Sequence, residues 1–504
     1  MTPHEGPQAP TPAASGEATS IAHNDADSTT RGKFDRYFKI SERGSTIGTE
    51  IRGGFVTFFA MAYIIVLNPL IVGTVEDING YSLGIAQVAA ATALAAGIMT
   101  LLFGVIARYP FGIAAGLGIN TLVAVTMVAT EGLTWQEAMG LVVLDGVIIV
   151  LLAISGFRAA VFHAIPSSLI AAMGVGIGLF IAMVGFVDAG FVRRIPDAAN
   201  TTVPVGLGIN GSIGSWPTLV FVVGLVITGY MIIRNVRGGL LLAIVINTVF
   251  AMIVESIAGA GSSAESPTGW SLAIPTIPDA LGGMPDLSIV GDVSLFGAFS
   301  RIGALAATLL LLTLVLANFF DAMGAMTALG KQADLVDEQG VLPDMKRALI
   351  VEGTGAIVGG GASASSNTVF MESATGIADG ARTGLANVVT GLLFLAAMFL
   401  TPLYEVVPIE AAAPVLVVVG ALMMAQVREI DFNNFSIAFP AFLTIAVMPF
   451  TYSIANGIGV GFIAYTLMSI FAGKIKEIHW IMWLLSALFV VYFAADPLLN
   501  AIEG

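Results

Sequence analysis

The chain has 504 residues, 57% hydrophobic and 11% charged, with a mean hydropathy of +0.92; an ordinary soluble domain carries about 25% charged residues, so a water-soluble enzyme of this size is excluded. Twenty Lys and Arg against 34 Asp and Glu give a formal charge of -14, which argues against a nucleic-acid partner held by phosphate neutralisation. There is no Cys, and the four His at 4, 23, 163 and 479 are scattered, so neither thiol catalysis nor a metal cluster is expected, and no cofactor.

The excess of apolar residues suits a bilayer, in which each span needs about 20 mostly apolar residues. Residues 1–50 differ: they are rich in Pro, Ser, Thr and Gly and then basic, from Arg31 to Arg43. This predicts a flexible cytoplasmic tail without a cleavable signal. Apolar runs separated by charges, Pro and Gly then predict spans near 52–73, 86–107, 112–129, 138–156, 167–187, 216–234 and 238–257. A second set follows near 303–327, 347–363, 368–381, 384–401, 409–426, 436–450 and 453–473. That is an all-α polytopic membrane protein of fourteen spans, with a last apolar stretch, 474–504, whose Ile478–Ala495 either crosses or lies along the interface.

With the N-terminus in the cytoplasm, seventeen of the twenty Lys and Arg fall inside, leaving Arg193, Arg194 and Arg301 outside. That asymmetry supports both the span count and the direction in a plasma membrane. The two halves also echo each other: Ile165-Pro166 and Val407-Pro408 each precede a small-residue span. Repeat 1 covers 51–257, an extracellular loop 258–300, and repeat 2 covers 301–473. Seven spans per repeat turn the second copy upside down, an arrangement that serves alternating access in transporters.

Span 3 of each half is interrupted. Tyr109-Pro110-Phe111-Gly112-Ile113-Ala114-Ala115-Gly116-Leu117-Gly118-Ile119-Asn120 and, in span 10, Gly359-Gly360-Gly361-Ala362-Ser363-Ala364-Ser365-Ser366-Asn367-Thr368-Val369-Phe370-Met371-Glu372-Ser373 are too polar for continuous helices. Irregular backbone at membrane depth needs protein or water partners, and an extended piece before a half-helix would aim two helix N-termini at one site. The glycines are read chiefly as packing residues. Glu372 is read as functional, because a carboxylate at the bilayer centre costs at least about 2.5 kcal/mol. Asn318 and Asp321, three apart on span 8, share a helix face; Asp321 serves a cavity or bonds to a broken helix. Asp145 is assigned a helix cross-link, Glu352 a place near a span end, and Glu50, Glu255, Glu405 and Glu410 interfacial positions. His163 is assigned to a loop.

Several blocks in order resemble the azaguanine-type purine permeases, a branch of the second nucleobase cation symporter (nucleobase-ascorbate transporter) family. They are Phe34-Asp35-Arg36-Tyr37-Phe38, Thr49-Glu50-Ile51-Arg52-Gly53-Gly54, Gly116-Leu117-Gly118-Ile119-Asn120, Ala164-Ile165-Pro166 and Phe319-Phe320-Asp321. Glu372-Ser373-Ala374, Arg382-Thr383-Gly384-Leu385, Pro440-Ala441-Phe442-Leu443-Thr444 and Thr451-Tyr452-Ser453-Ile454-Ala455-Asn456-Gly457 complete them.

The resemblance implies a seven-plus-seven inverted fold with a core domain (spans 1–4 and 8–11) and a gate domain (5–7 and 12–14), spans 3 and 10 beginning with short paired strands. It further implies a secondary transporter importing adenine, guanine or hypoxanthine with a proton. The family's binding positions fall on Asn120, Asn318 and Glu372, with Asp321 a further essential acid. Independently, one carboxylate and amides complement the N–H donors and ring acceptors of a purine, and Phe370 is placed to stack on it. Proton coupling is assigned to Asp321 and Glu372, because Asn318 stands where many relatives carry Asp. A uracil or xanthine carrier and a SulP-type anion transporter are the alternatives. The preferred purine, proton against sodium, and monomer against homodimer are left open.

Overall fold

In a computed structural model, residues 32–503 are described apart from 156–164, 195–204, 210, 272, 279 and 338–341. His163 and residues 1–31 therefore lie outside the described residues. Among the described residues, nine helices are long and apolar enough to cross a bilayer, and four shorter apolar helices accompany them. They follow the predicted spans closely: span 1 is Ile47–Met61 and Ile64–Val72, span 2 Ile85–Leu102, span 4 Trp135–Ser155 and span 5 Ser167–Asp188. Trp216–Ile233 and Gly239–Ala258 are spans 6 and 7; Ala304–Gln332 and Met345–Gly361 are spans 8 and 9. Gly384–Ala397, Ile409–Met423, Phe435–Phe450 and Ile454–Phe471 are spans 11 to 14.

Among the described residues there are four short strands: β1 (Ile113–Ala115), β2 (Val192–Arg194), β3 (Val205–Leu207) and β4 (Asn367–Val369). β2 and β3 form a small hairpin in the loop after span 5. β1 opens span 3 and β4 opens span 10, and they pair antiparallel, Ile113 opposite Val369, Ala114 opposite Thr368 and Ala115 opposite Asn367. Each strand runs into a half-helix, Leu117–Thr121 after β1 and Ser373–Ala378 after β4.

Neighbouring groups satisfy this irregular backbone, as burial at membrane depth requires. Thr100 Oγ1 accepts from Ile113 N at 3.0 Å and donates to Ile113 O at 2.8 Å. Asn387 Nδ2 donates to Phe111 O at 2.6 Å, and Gly112 N donates to Ser373 Oγ at 2.9 Å. Gly116 is needed for the close approach of the strands, since a Cβ there would lie 2.8 Å from Thr368 Cγ2.

The packing repeats with inverted symmetry. Span 4 lies on span 9 and span 2 on span 11; span 5 lies on span 13 and span 12 on span 6; spans 6 and 7 pair as do spans 13 and 14. Exchanging the two halves maps each pair onto another, as an in-plane pseudo-twofold demands. Small residues let backbones meet: a Cβ on Gly146 would lie 2.5 Å from Gly353 O, and one on Gly420 2.3 Å from Gly178 O.

Four expectations need correction. Residues 32–50 are folded: Lys33–Phe38 is helical, Phe38 and Ile40 are buried, and Arg43 Nη1 donates to the carbonyls of Arg108 and Arg382. Glu352 sits in the middle of span 9 and is fully buried. Glu50 is also buried rather than interfacial, because its carboxylate accepts from Arg382 N at 2.9 Å and Thr383 N at 3.2 Å. Glu410 is enclosed too, accepting from Ser271 N at 2.9 Å. The last apolar stretch is a helix, Trp480–Glu503, packed on span 14 through Phe489 against Phe462 and a Thr466–Ser486 hydroxyl pair at 2.7 Å.

The long loop before span 8 closes the end of the core opposite Arg43. Ser363 Oγ donates to Ile289 O at 3.0 Å and Gln87 Nε2 donates to Asp286 Oδ2 at 2.8 Å. Hydrogen bonds from Ser288, with that from Gln87, hold the Asp286 carboxyl below its ordinary range.

Candidate functional site

The half-helix of span 10 begins at the midpoint of the fold because β4 uses up the backbone groups before it. Glu372 occupies the turn immediately ahead of Ser373–Ala378 and is half-buried. Tyr63 Oη donates to Glu372 Oε1 at 2.5 Å. That tyrosine lies at the break between the two helical pieces of span 1 and is itself buried. The short, charge-assisted bond fixes one carboxylate oxygen and leaves the other for a ligand.

Beside Glu372 opens a cavity of about 350 Å³, lined by Gly118 and Ile119 of span 3, Met173, Gly174 and Ile177 of span 5, Asp321 of span 8, Met371, and Gln426 after span 12. Its walls come from both halves of the chain. Gly118 and Gly174 keep it narrow, since a Cβ on Gly118 would lie 2.7 Å from Ile177 Cγ2 and one on Gly174 would strike Gln426. Asp321 is accessible through the cavity, and Glu372 is its charged neighbour. Glu429, Ala328 and Ile170 also line it, so it runs toward the end of the molecule that carries Lys331 and Arg428.

The residues picked from the sequence divide into three groups. Asp321 lines the cavity, and Glu372 is its charged neighbour, next in sequence to the cavity-lining Met371. Asn120 is fully enclosed one residue beyond the cavity-lining Ile119, with neither side-chain atom partnered among the described residues. Asn318 and Phe370 are turned to other tasks: Asn318 Nδ2 donates to Asp145 Oδ2 at 3.0 Å and Ser366 Oγ at 2.8 Å. This makes Asp145 the helix cross-link expected of it. Phe370 is buried with its ring 6.3 Å from that of Tyr63, and Met371 is the neighbour that reaches the cavity. Sequence reasoning missed Tyr63, Met173 and Gln426; a phenol beside the break in span 1 was the available signal for the first.

On the cavity side of the fold a clamp joins the two sets of spans. Asp379, just beyond the span 10 half-helix, receives Arg52 Nε of span 1 on one oxygen and Arg237, from the loop between spans 6 and 7, on the other, both at 2.5 Å.

A polytopic inverted repeat with two broken spans meeting at a midplane cavity defines a membrane transporter. The transmembrane domain of a cyanobacterial bicarbonate transporter, BicA, has the same fold, with a TM-score of 0.55 at 12% identity over 81% of this chain and 97% of that one. The profile of a permease family matches residues 48–460, and the chain belongs to that family, the nucleobase-ascorbate transporters. It is 37% identical to the guanine/hypoxanthine permease PbuG of Bacillus subtilis, covering 91% of this chain and 98% of that one. It is 32% identical to the adenine permease AdeP of Escherichia coli, covering 92% and 96%.

Proposed function

We propose that the chain imports a purine nucleobase across the plasma membrane, with its N-terminus in the cytoplasm and a proton as the coupled ion. The observation that carries this is Glu372, a carboxylate braced by Tyr63 at the head of a half-helix and next to Met371 and Asp321, which line a mostly apolar cavity. A free carboxylate oxygen accepts the ring N–H of a neutral base, the apolar walls take its flat faces, and the Asn120 amide, one residue beyond the cavity-lining Ile119, selects its edge. The names of the relatives at over 90% coverage support the purine class.

The cavity runs toward the basic end of the fold, so this conformation is open to the cytoplasm. The spans divide into a core (1–4 and 8–11) holding Glu372 and a gate (5–7 and 12–14), across the repeats 51–257 and 301–473. Import follows when a loaded core moves against the gate; Asp321 and Glu372 at the cavity receive the proton. An anion carrier would place its substrate against the Glu372 carboxylate, which repels it.

The test is uptake of labelled hypoxanthine by cells lacking purine transport, with adenine, guanine, xanthine and uracil as competitors and a protonophore as control. Competition by adenine or guanine with collapse on the protonophore supports the reading; competition by uracil alone, or no hypoxanthine uptake, overturns the purine class, and competition by xanthine alone moves the substrate to the dioxopurines.

A further inference from the structure

Behind the paired strands lies a second polar group that the base-binding site does not use. Asp145 of span 4 and Glu352 of span 9 are both fully enclosed. Among the described residues, both carboxylate oxygens of Glu352, Oδ1 of Asp145, Oδ1 of Asn318 and the hydroxyl of Thr368 lack a hydrogen-bond partner. These atoms share one place: Asn318 bonds to Asp145, and Asp145, Asp321 and Thr368 are the polar neighbours of Glu352.

Among the described residues, no basic side chain balances these acids. Span 2, the turn Phe103–Ala107, β1 and β4 all pack on span 9 and contain no titratable residue. Span 4 adds Asp145, and its other acid, Glu137, is ion-paired with Arg301 at the far end. On span 9 itself Lys346 and Arg347 lie in the first turn, more than one helical turn away from Glu352. Asp145 has a single donor, Asn318 Nδ2, and Glu352 has only the Thr368 hydroxyl as a polar neighbour that could donate; two enclosed carboxylates without a counter-charge among the described residues are untenable as a pair of anions.

We propose that Asp145 and Glu352 form the store for the coupling proton, filled from the cavity through Asp321. The inference rests on the transport reading above and deepens it. Asp321 neighbours both Glu372 at the cavity and Glu352 inside, giving a line of acids from water to the pair. In the filling step the O–H bond of a protonated Asp321 breaks as a new O–H bond forms on Glu352, and Asp321 is reprotonated from the cavity. Asn318 turns N–H donors toward Asp145, which suits a carboxylate pair sharing a proton. A metal ion would need oxygen lone pairs from each of its ligands. The proton belongs to the pair rather than to either residue.

The experiment compares the wild-type protein, Glu352→Gln and Asp145→Asn in liposomes. Labelled hypoxanthine counterflow is read without ion gradients, and accumulation is read under an inward proton or sodium gradient. Infrared pH titration of each purified protein reads the carboxylic-acid carbonyl band. The expected result is that Glu352→Gln exchanges base but no longer accumulates it under a proton gradient, with a flattened pH profile, and that both variants lose a buried carboxylic-acid band. Unchanged proton-driven accumulation in Glu352→Gln, accumulation driven by sodium alone, or an unchanged infrared band overturns the store. Should Glu352→Gln fail to fold, Asp145→Asn decides by the same readings. A wild-type protein that exchanges no purine fails the substrate reading instead, and the infrared titration then still decides on the pair.

Discussion

Spans 3 and 10 are the same device built twice and chemically unlike. Both open with a three-residue strand, both continue as a half-helix, and the two strands pair with each other. Span 3 brings only glycines, apolar side chains and the neutral Asn120 to the centre, whereas span 10 brings Glu372, and its partner span 8 brings Asp321. The duplicated scaffold therefore supplies the place and the means of movement, and the departures from symmetry supply the chemistry. On the proposed function, an acid in one half and an amide in the other offer a base both an acceptor and a donor.

The comparison is broken most severely by removing the acid. Glu372→Gln should lower purine uptake roughly 10- to 100-fold, the worth of a hydrogen bond to a charged group, measured as counterflow by protein that still reaches the membrane. Disturbing the shared scaffold comes next. Gly116→Val drives a side chain into Thr368 and should cost about 1–3 kcal/mol as overpacking, read as a lower melting temperature in detergent. Tyr63→Phe keeps the ring and frees the second oxygen of Glu372; it should raise KM by up to about tenfold with little change in protein level.

Smaller effects sharpen the picture. Asn120→Ala should alter the ratio of adenine to guanine inhibition more than the maximal rate, in a competition assay, because the amide is set to read the base's edge. Asp379→Asn loosens the tie between Arg52 and Arg237. With both arginines largely exposed the change should be only a few-fold, seen in the turnover rate and not in KM.

Much of this was legible beforehand because hydropathy and breaks are local properties. The spans, the interruption at Gly112 to Gly118 and the cost of Glu372 follow from single stretches of chain. What depended on distant residues was hidden. Glu50 looks interfacial beside Arg52, yet it is buried because the turn at Arg382 and Thr383 supplies its donors. Glu352 looked peripheral because it lies five residues into the span read from Arg347, although the helix runs Met345–Gly361 and sets it at the middle, against span 4. Phe370 was read as a stacking ring from its spacing to Glu372, but β4 ends there and turns it into the core. Tyr63 is more than 300 residues from its acid in sequence, a pairing that hydropathy does not encode.

The central claim is that Glu372 holds a purine at the head of the span 10 half-helix. Counterflow of labelled hypoxanthine into liposomes preloaded with unlabelled base, compared between the wild-type protein and Glu372→Gln, tests it most directly. The account predicts rapid counterflow by the wild type, suppressed by adenine or guanine, and its loss in the variant. Equal counterflow by both proteins, or none by the wild type, would contradict it.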